Sequence, residues 1–155
     1  MSSYLTFYLV PKRTKTHYKE DGTSEEVEVS KGEPLALMSF SRNSSIYRNF
    51  YEYLHPTYIG VGSETDYDEV TSDDVKSVIY QVTEALEEDK KSHENKIKVL
   101  KDLGVSPDLD TLNQLISEED ILKEEEEDLN DLKWLLRLFS EIKYSDFEKI
   151  LMNID

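Results

Sequence analysis

Apolar and polar positions change their period along the chain, and the changes mark out the elements. From Tyr4 to Lys12 the run YLTFYLVPK is almost continuously aromatic and aliphatic and ends with a proline at Pro11, which predicts a strand buried on much of both faces. Asp21-Gly22 is a turn signal, and EEVEVS alternates Glu and Val as a half-exposed strand or hairpin arm does. LALMSFSR places Leu35, Leu37 and Ser39 on one face and Ala36, Met38 and Phe40 on the other. Three strands in a small antiparallel sheet are the simplest assembly of these runs.

Helical spacing then takes over. In SIYRNFYEYL, capped by Asn43, Ser44 or Ser45, the residues Ile46, Phe50 and Leu54 share a face, and His55-Pro56 ends the helix. GVGSETDYDEVTSDD reads as a loop with room for a short extended piece. Thr71 or Ser72 caps a long helix with Asp73 and Asp74 against its positive end, and Val75, Val78, Ile79, Val82 and Leu86 form its apolar stripe. This helix stops at Gly104, and Pro107 or Asp108 opens a second that runs to about Ile142. YSDFEKILMNID predicts a short third one, capped by Ser145, with Phe147, Ile150, Leu151 and Ile154 on one face.

The expected fold is therefore α+β: a small antiparallel sheet with a short helix over residues 1–71, then a long antiparallel helical hairpin and a short C-terminal helix over residues 72–155. Two helices joined by so short a turn run antiparallel, for roughly 50 Å at 1.5 Å per residue. Leu100, Leu103, Val105, Leu109, Leu112, Leu115 and Ile116 are expected to form a compact tip. At the far end, Leu129, Leu132, Trp134, Leu135, Leu136, Leu138, Phe139 and Ile142 cover more than one partner helix can bury. That base is expected to be enclosed by the first long helix, the C-terminal helix and the β-rich part.

Charge sharpens the division. Residues 1–71 carry seven basic residues against eleven acids and eight of the ten tyrosines, and residues 72–155 carry eleven against twenty-three. A net charge of −16 repels nucleic acid and anionic membranes, so direct binding to either is not expected. Cysteine is absent, which removes disulfides, thiolate metal sites and thiol catalysis and fits a reducing compartment. No stretch is apolar for long enough to span a bilayer or serve as a secretory signal, so a soluble cytoplasmic protein is expected.

Five consecutive acids, Glu124, Glu125, Glu126, Glu127 and Asp128, precede the leucine run. Leu122 and Leu129 flank them at helical spacing, so Glu125 and Glu126 fall on the apolar stripe. Counting back from the turn sets Glu125 opposite Leu86, and Lys90 and Lys91 opposite Glu119 to Ile121. The run reads either as a solvated, partly lysine-paired helix face or as a landing site for a basic partner. A metal site fails on spacing. An EF-hand register from Asp108 meets Leu112 and Asn113, and one from Asp66 meets Val70 and Thr71.

Catalytic patterns are missing. His17, His55 and His93 sit in three separate elements without ligand spacing, and His93 reads as a hydrogen-bonded structural residue inside a charged waist. Gly60 and Gly62 lack the lysine of a phosphate loop. No enzyme activity, metal or cofactor is expected. The aromatic stretch SIYRNFYEYLHPTYIGVG has the tyrosine and arginine content that protein interfaces favour, which nominates Tyr47, Arg48, Tyr51 and Tyr58. The leading expectation is a non-catalytic interaction or assembly protein, meeting itself or another protein through those residues and through Leu109 and Leu112 at the hairpin tip. The competing expectation is an acidic decoy, whose carboxylates imitate the phosphates of nucleic acid and inhibit a basic nucleic-acid-binding protein.

Overall fold

The structure, a computed structural model, describes residues 3–11, 14–28, 33–57, 67–142 and 147–155. Its elements run β1 (Tyr4–Pro11), β2 (Thr14–Tyr18), β3 (Ser24–Glu28), β4 (Leu35–Ser41), α1 (Ser45–Tyr53), β5 (Asp68–Val70), α2 (Ser72–Leu103), α3 (Leu109–Ile142) and β6 (Phe147–Ile154). The protein is α+β: four strands form an antiparallel sheet in the order β4-β1-β6-β5, and two of the three helices are long.

Two expectations about the strands are corrected. The described part of EEVEVS lies in β3, a hairpin arm as its alternation allows, but among the described residues it pairs with β2 in a separate two-stranded ribbon and not with the main sheet. The C-terminal segment is not a helix. Residues Phe147–Ile154 form β6, which lies between β1 and β5, in register Leu5↔Ile154, Phe7↔Met152 and Leu9↔Ile150. The reason is set by β1. Its side chains are buried on both faces, as in a central strand, and a strand so enclosed by core leaves no backbone N–H or C=O unpaired, so each edge takes a hydrogen-bonding strand. β4 supplies one edge and β6 the other. The apolar residues of β6 satisfy a two-residue period (Ile150, Met152, Ile154) as well as a helical one, and the unpaired edge of β1 selects the strand.

The alternation of β1 sends Leu5, Phe7 and Leu9 toward the helices, together with their partners Ile150, Met152 and Ile154. Phe7 is fully buried and meets Phe40, Phe50 and Phe139 edge to face at centroid distances of 5.7, 5.5 and 5.4 Å. One ring thus ties β4, α1 and α3 to the first strand. The core draws on both ends of the chain.

The helix ends follow their sequence signals. Ser44 caps α1, its Oγ accepting from the Tyr47 amide at 3.2 Å. Thr71 and Asp74 form a reciprocal capping box at the start of α2. α2 ends at Gly104 in the left-handed conformation (φ 61°), and Asp108 Oδ1 accepts from the Thr111 amide at 2.8 Å to open α3.

Burial is confined to one end of the two long helices. In α2 the buried residues are Val75, Val78, Val82 and Leu86, and beyond them only His93. In α3 none comes before Asp128, after which Leu129, Leu132, Leu135 and Phe139 follow. Of the residues expected to form a compact tip, Leu100 and Leu115 are half-buried, whereas Leu103, Val105, Leu109, Leu112 and Ile116 are exposed. Two helices alone bury only the seam between them, and these side chains lie off it. Trp134, expected within the base, is 49% exposed, its position in the helix falling off the buried stripe of Leu132, Leu135 and Phe139.

Candidate interaction surface

The acid run is mostly engaged by the chain itself. Arg48 reaches from α1 to α3, donating from Nη1 to Glu124 Oε1 at 2.7 Å and from Nη2 to Asp128 Oδ1 at 3.4 Å. Asn49 Nδ2 donates to Asp128 Oδ2 at 3.1 Å, and Ser45 Oγ to Asp131 Oδ2 at 2.6 Å. Three successive turns of contact thus seat α1 on α3. Asp128 is only 8% exposed. Burial raises its pKa, opposed by the Asn49 hydrogen bond and the Arg48 charge.

Glu125 is half-buried at the seam beside the Asp89 carboxyl of α2, and its Oε2 is buried without a hydrogen-bond partner among the described residues. Its pKa is pushed up to about 7, first by burial and then by the neighbouring carboxylates Asp89, Asp128 and Glu124. Glu126 is exposed and pairs with Lys90 at 3.1 Å. Glu127 is exposed. The expected register holds at His93, which meets Glu118, while Glu125 interacts with Asp89, one turn beyond Leu86, and Lys90 reaches about one turn along α3 to Glu126. The flexible lysine stem permits that reach along α3. Of the two residues assigned to the apolar stripe, Glu125 is on it and Glu126 is not.

Farther from the core, His93 fills the seam. Its Nδ1 lies 2.9 Å from Glu118 Oε2 and its Nε2 lies 3.6 Å from Glu119 Oε1. Lys96 also donates to Glu118, and these two hydrogen bonds, Lys96 first, hold the Glu118 carboxyl below its ordinary pKa. The histidine is a buried structural cross-link between α2 and α3, as its position on the Leu86 stripe implies.

The nominated aromatic surface divides. Tyr47 is buried and belongs to the core, while Tyr51 stacks on it at 6.2 Å and is 60% exposed. Arg48 is already committed to Glu124 and Asp128. Tyr58 lies outside the described residues. Between α1 and the long helices is an open cleft of about 1010 Å³, lined by Arg42, Arg48, Tyr51 and Tyr53 on one side and Ile121 and Glu124 on the other. Leu109 and Leu112 stand apart from it at the far end of the helix pair, 73% and 42% exposed.

Sequence reasoning passed over Asn49, Asp131 and the burial of Asp128. Asp128 precedes Leu132 by one turn and Leu135 by two, so its place on the core-facing stripe was signalled by spacing. The run of acids around it hid that signal.

Among the described residues no three His, Asp or Glu side chains are grouped to hold a metal ion, and no helix is long and apolar enough to cross a membrane. No family model, curated protein or solved structure matches the chain.

Proposed function

We propose that the protein is a non-catalytic interaction module whose α2–α3 hairpin projects from the sheet and docks through its distal half. The observation that carries this reading is the cluster of exposed apolar side chains Leu103, Val105, Leu109, Leu112 and Ile116, gathered at the end remote from the core. Exposed apolar side chains gathered in this way on a highly charged chain favour a surface that another molecule covers. Extending two helices past the sheet buries almost nothing within the chain, so the extension makes sense as a means of contact.

Two of the polar clusters are closed by internal contacts: Arg48 pairs with Glu124 and Asp128, and Glu118 accepts from Lys96 and hydrogen-bonds His93. That arrangement suits a structural scaffold better than a reaction centre. It also counts against the acid run as the surface of a decoy, since Glu124, Glu126 and Asp128 have internal partners.

The test is a photo-crosslinking residue placed at Leu109 or, as a control, at Tyr18 in the β2–β3 ribbon, with adducts collected in the native host. Adducts from Leu109 and not from Tyr18 support the reading. Equal yields from both positions, or none from Leu109, contradict it.

A further inference from the structure

This inference rests on the docking role of the distal hairpin and names what docks there. We infer that the partner is a second copy of this chain, packed so that both tips point the same way and α2 of each copy lies on α3 of the other.

The contact face is fixed by the Lys90–Glu126 bridge. On α2, Lys90, Glu94, Ile97 and Lys101 follow one another at helical spacing. On α3, Glu126, Glu119, Leu115 and Leu112 do the same. Because Lys90 and Glu126 meet, the two stripes line one face of the hairpin. Ile97 and Leu112 are exposed on that face, with Ile116 beside them. The opposite face is occupied over its proximal half, where Glu124 and Asp128 hold α1 and Leu132 and Leu135, on the Asp128 stripe, pack in the sheet core. Its distal half is an open groove lined by Val99, Leu100, Thr111 and Leu115, and a copy seated there with its tip pointing the same way would bring the two α1 helices and sheets together. Two copies joined by the free face therefore keep their sheets on the outside, clear of one another.

Charge selects the arrangement. From Lys90 to Leu103 there are five lysines against two acids, and from Val105 to Asp120 there are five acids and no basic residue. Distal α2 is thus basic and distal α3 acidic. A two-fold axis along the hairpin lays each basic α2 over the other copy's acidic α3, bringing Lys91 level with Glu119 and Asp120. With the tips opposed, α3 lies on α3 and the acid run, at the midpoint of that helix, meets itself. Like charges so placed oppose the pairing. The distal segment is also where a chain of charge −16 repels its copy least: Lys90 to Asp120 holds five lysines against seven acids, out of 18 basic and 34 acidic residues in all.

The purified chain is examined by sedimentation equilibrium alongside two charge-reversed variants, Lys91→Glu/Lys98→Glu and Glu119→Lys/Asp120→Lys. The wild type is expected to dimerise, each variant alone to bind itself at least about tenfold more weakly, and their mixture to recover affinity, because the mixed dimer restores opposite charges at both seams. The chain has no cysteine, so Ser106→Cys in the inter-helix connection provides one reactive thiol. A short bis-maleimide is expected to link two such copies, since the tips adjoin. A dimer that neither links through Ser106→Cys nor recovers on mixing overturns the arrangement. A monomer at every concentration overturns the second copy as partner. If adduct formation at Leu109 persists in the host despite that result, the docking surface stands with a different occupant, and if it is absent, both readings fall.

Discussion

Arg48 and Asp128 form the join between the short helix and the long one, Nη2 to Oδ1 at 3.4 Å, with the arginine half-exposed and the carboxylate buried. The asymmetry determines which partner matters. Arg48→Ala leaves Asp128 desolvated with only Asn49 to serve it, and is expected to cost about 1–2 kcal/mol, most of it from that stranded carboxylate. Adding Asp128→Asn should recover part of the loss. Urea unfolding of the single and double variants checks this, and equal destabilisation in both contradicts it.

Glu125 gives the fold a pH dependence. Its folded pKa is raised from 4.5 to about 7, so between those values the folded state holds a proton that the unfolded chain has released. Stability from this group is present at low pH and lost as pH rises toward and through 7. Glu125→Gln, which keeps the neutral shape, should raise the melting temperature above pH 7 and leave it unchanged below 4.5. A rise of equal size at both ends contradicts the assignment.

Much of this fold is written locally, and what is not depends on strand partners distant in sequence. The caps at Ser44, Thr71 and Asp108 and the stop at Gly104 were readable because each signal lies within one turn of its effect. The last strand was not readable in that way. Phe147, Ile150, Leu151 and Ile154 fit a helix, and only the unpaired edge of β1, more than a hundred residues earlier, decides against it. The nominated surface shows the same split. Leu109 and Leu112 are exposed beyond the buried end of the long helices, but Tyr47 is buried and Arg48 engaged by an acid run that looked like solvent-facing charge.

Met152 separates the two readings of the C-terminal segment. On a helix carrying Phe147, Ile150, Leu151 and Ile154 it points away from the packed face. On β6 it lies opposite Phe7 and is 4% exposed. Met152→Ala should therefore destabilise by about 2–5 kcal/mol in chemical denaturation. An effect within a few tenths, as for a surface position, contradicts the strand.

Gly104 ends α2 at φ 61° with open space around the place a Cβ would occupy. Gly104→Ala should cost about 1 kcal/mol from backbone strain alone, with no steric clash to add. Thermal unfolding measures it; an unchanged midpoint contradicts the left-handed turn.

The central claim is that the distal hairpin is a docking surface and not part of the folding core. The most direct measurement compares a tagged wild-type chain with Leu109→Asp/Leu112→Asp, both recovered from the native host, with the melting temperature of each taken in parallel. The account predicts equal melting temperatures at protein concentrations below dimer formation, because both leucines are exposed, and loss from the variant of whatever the wild type retains, untagged copies of the chain included. Identical recoveries from the two proteins, or a variant that fails to fold, would contradict it.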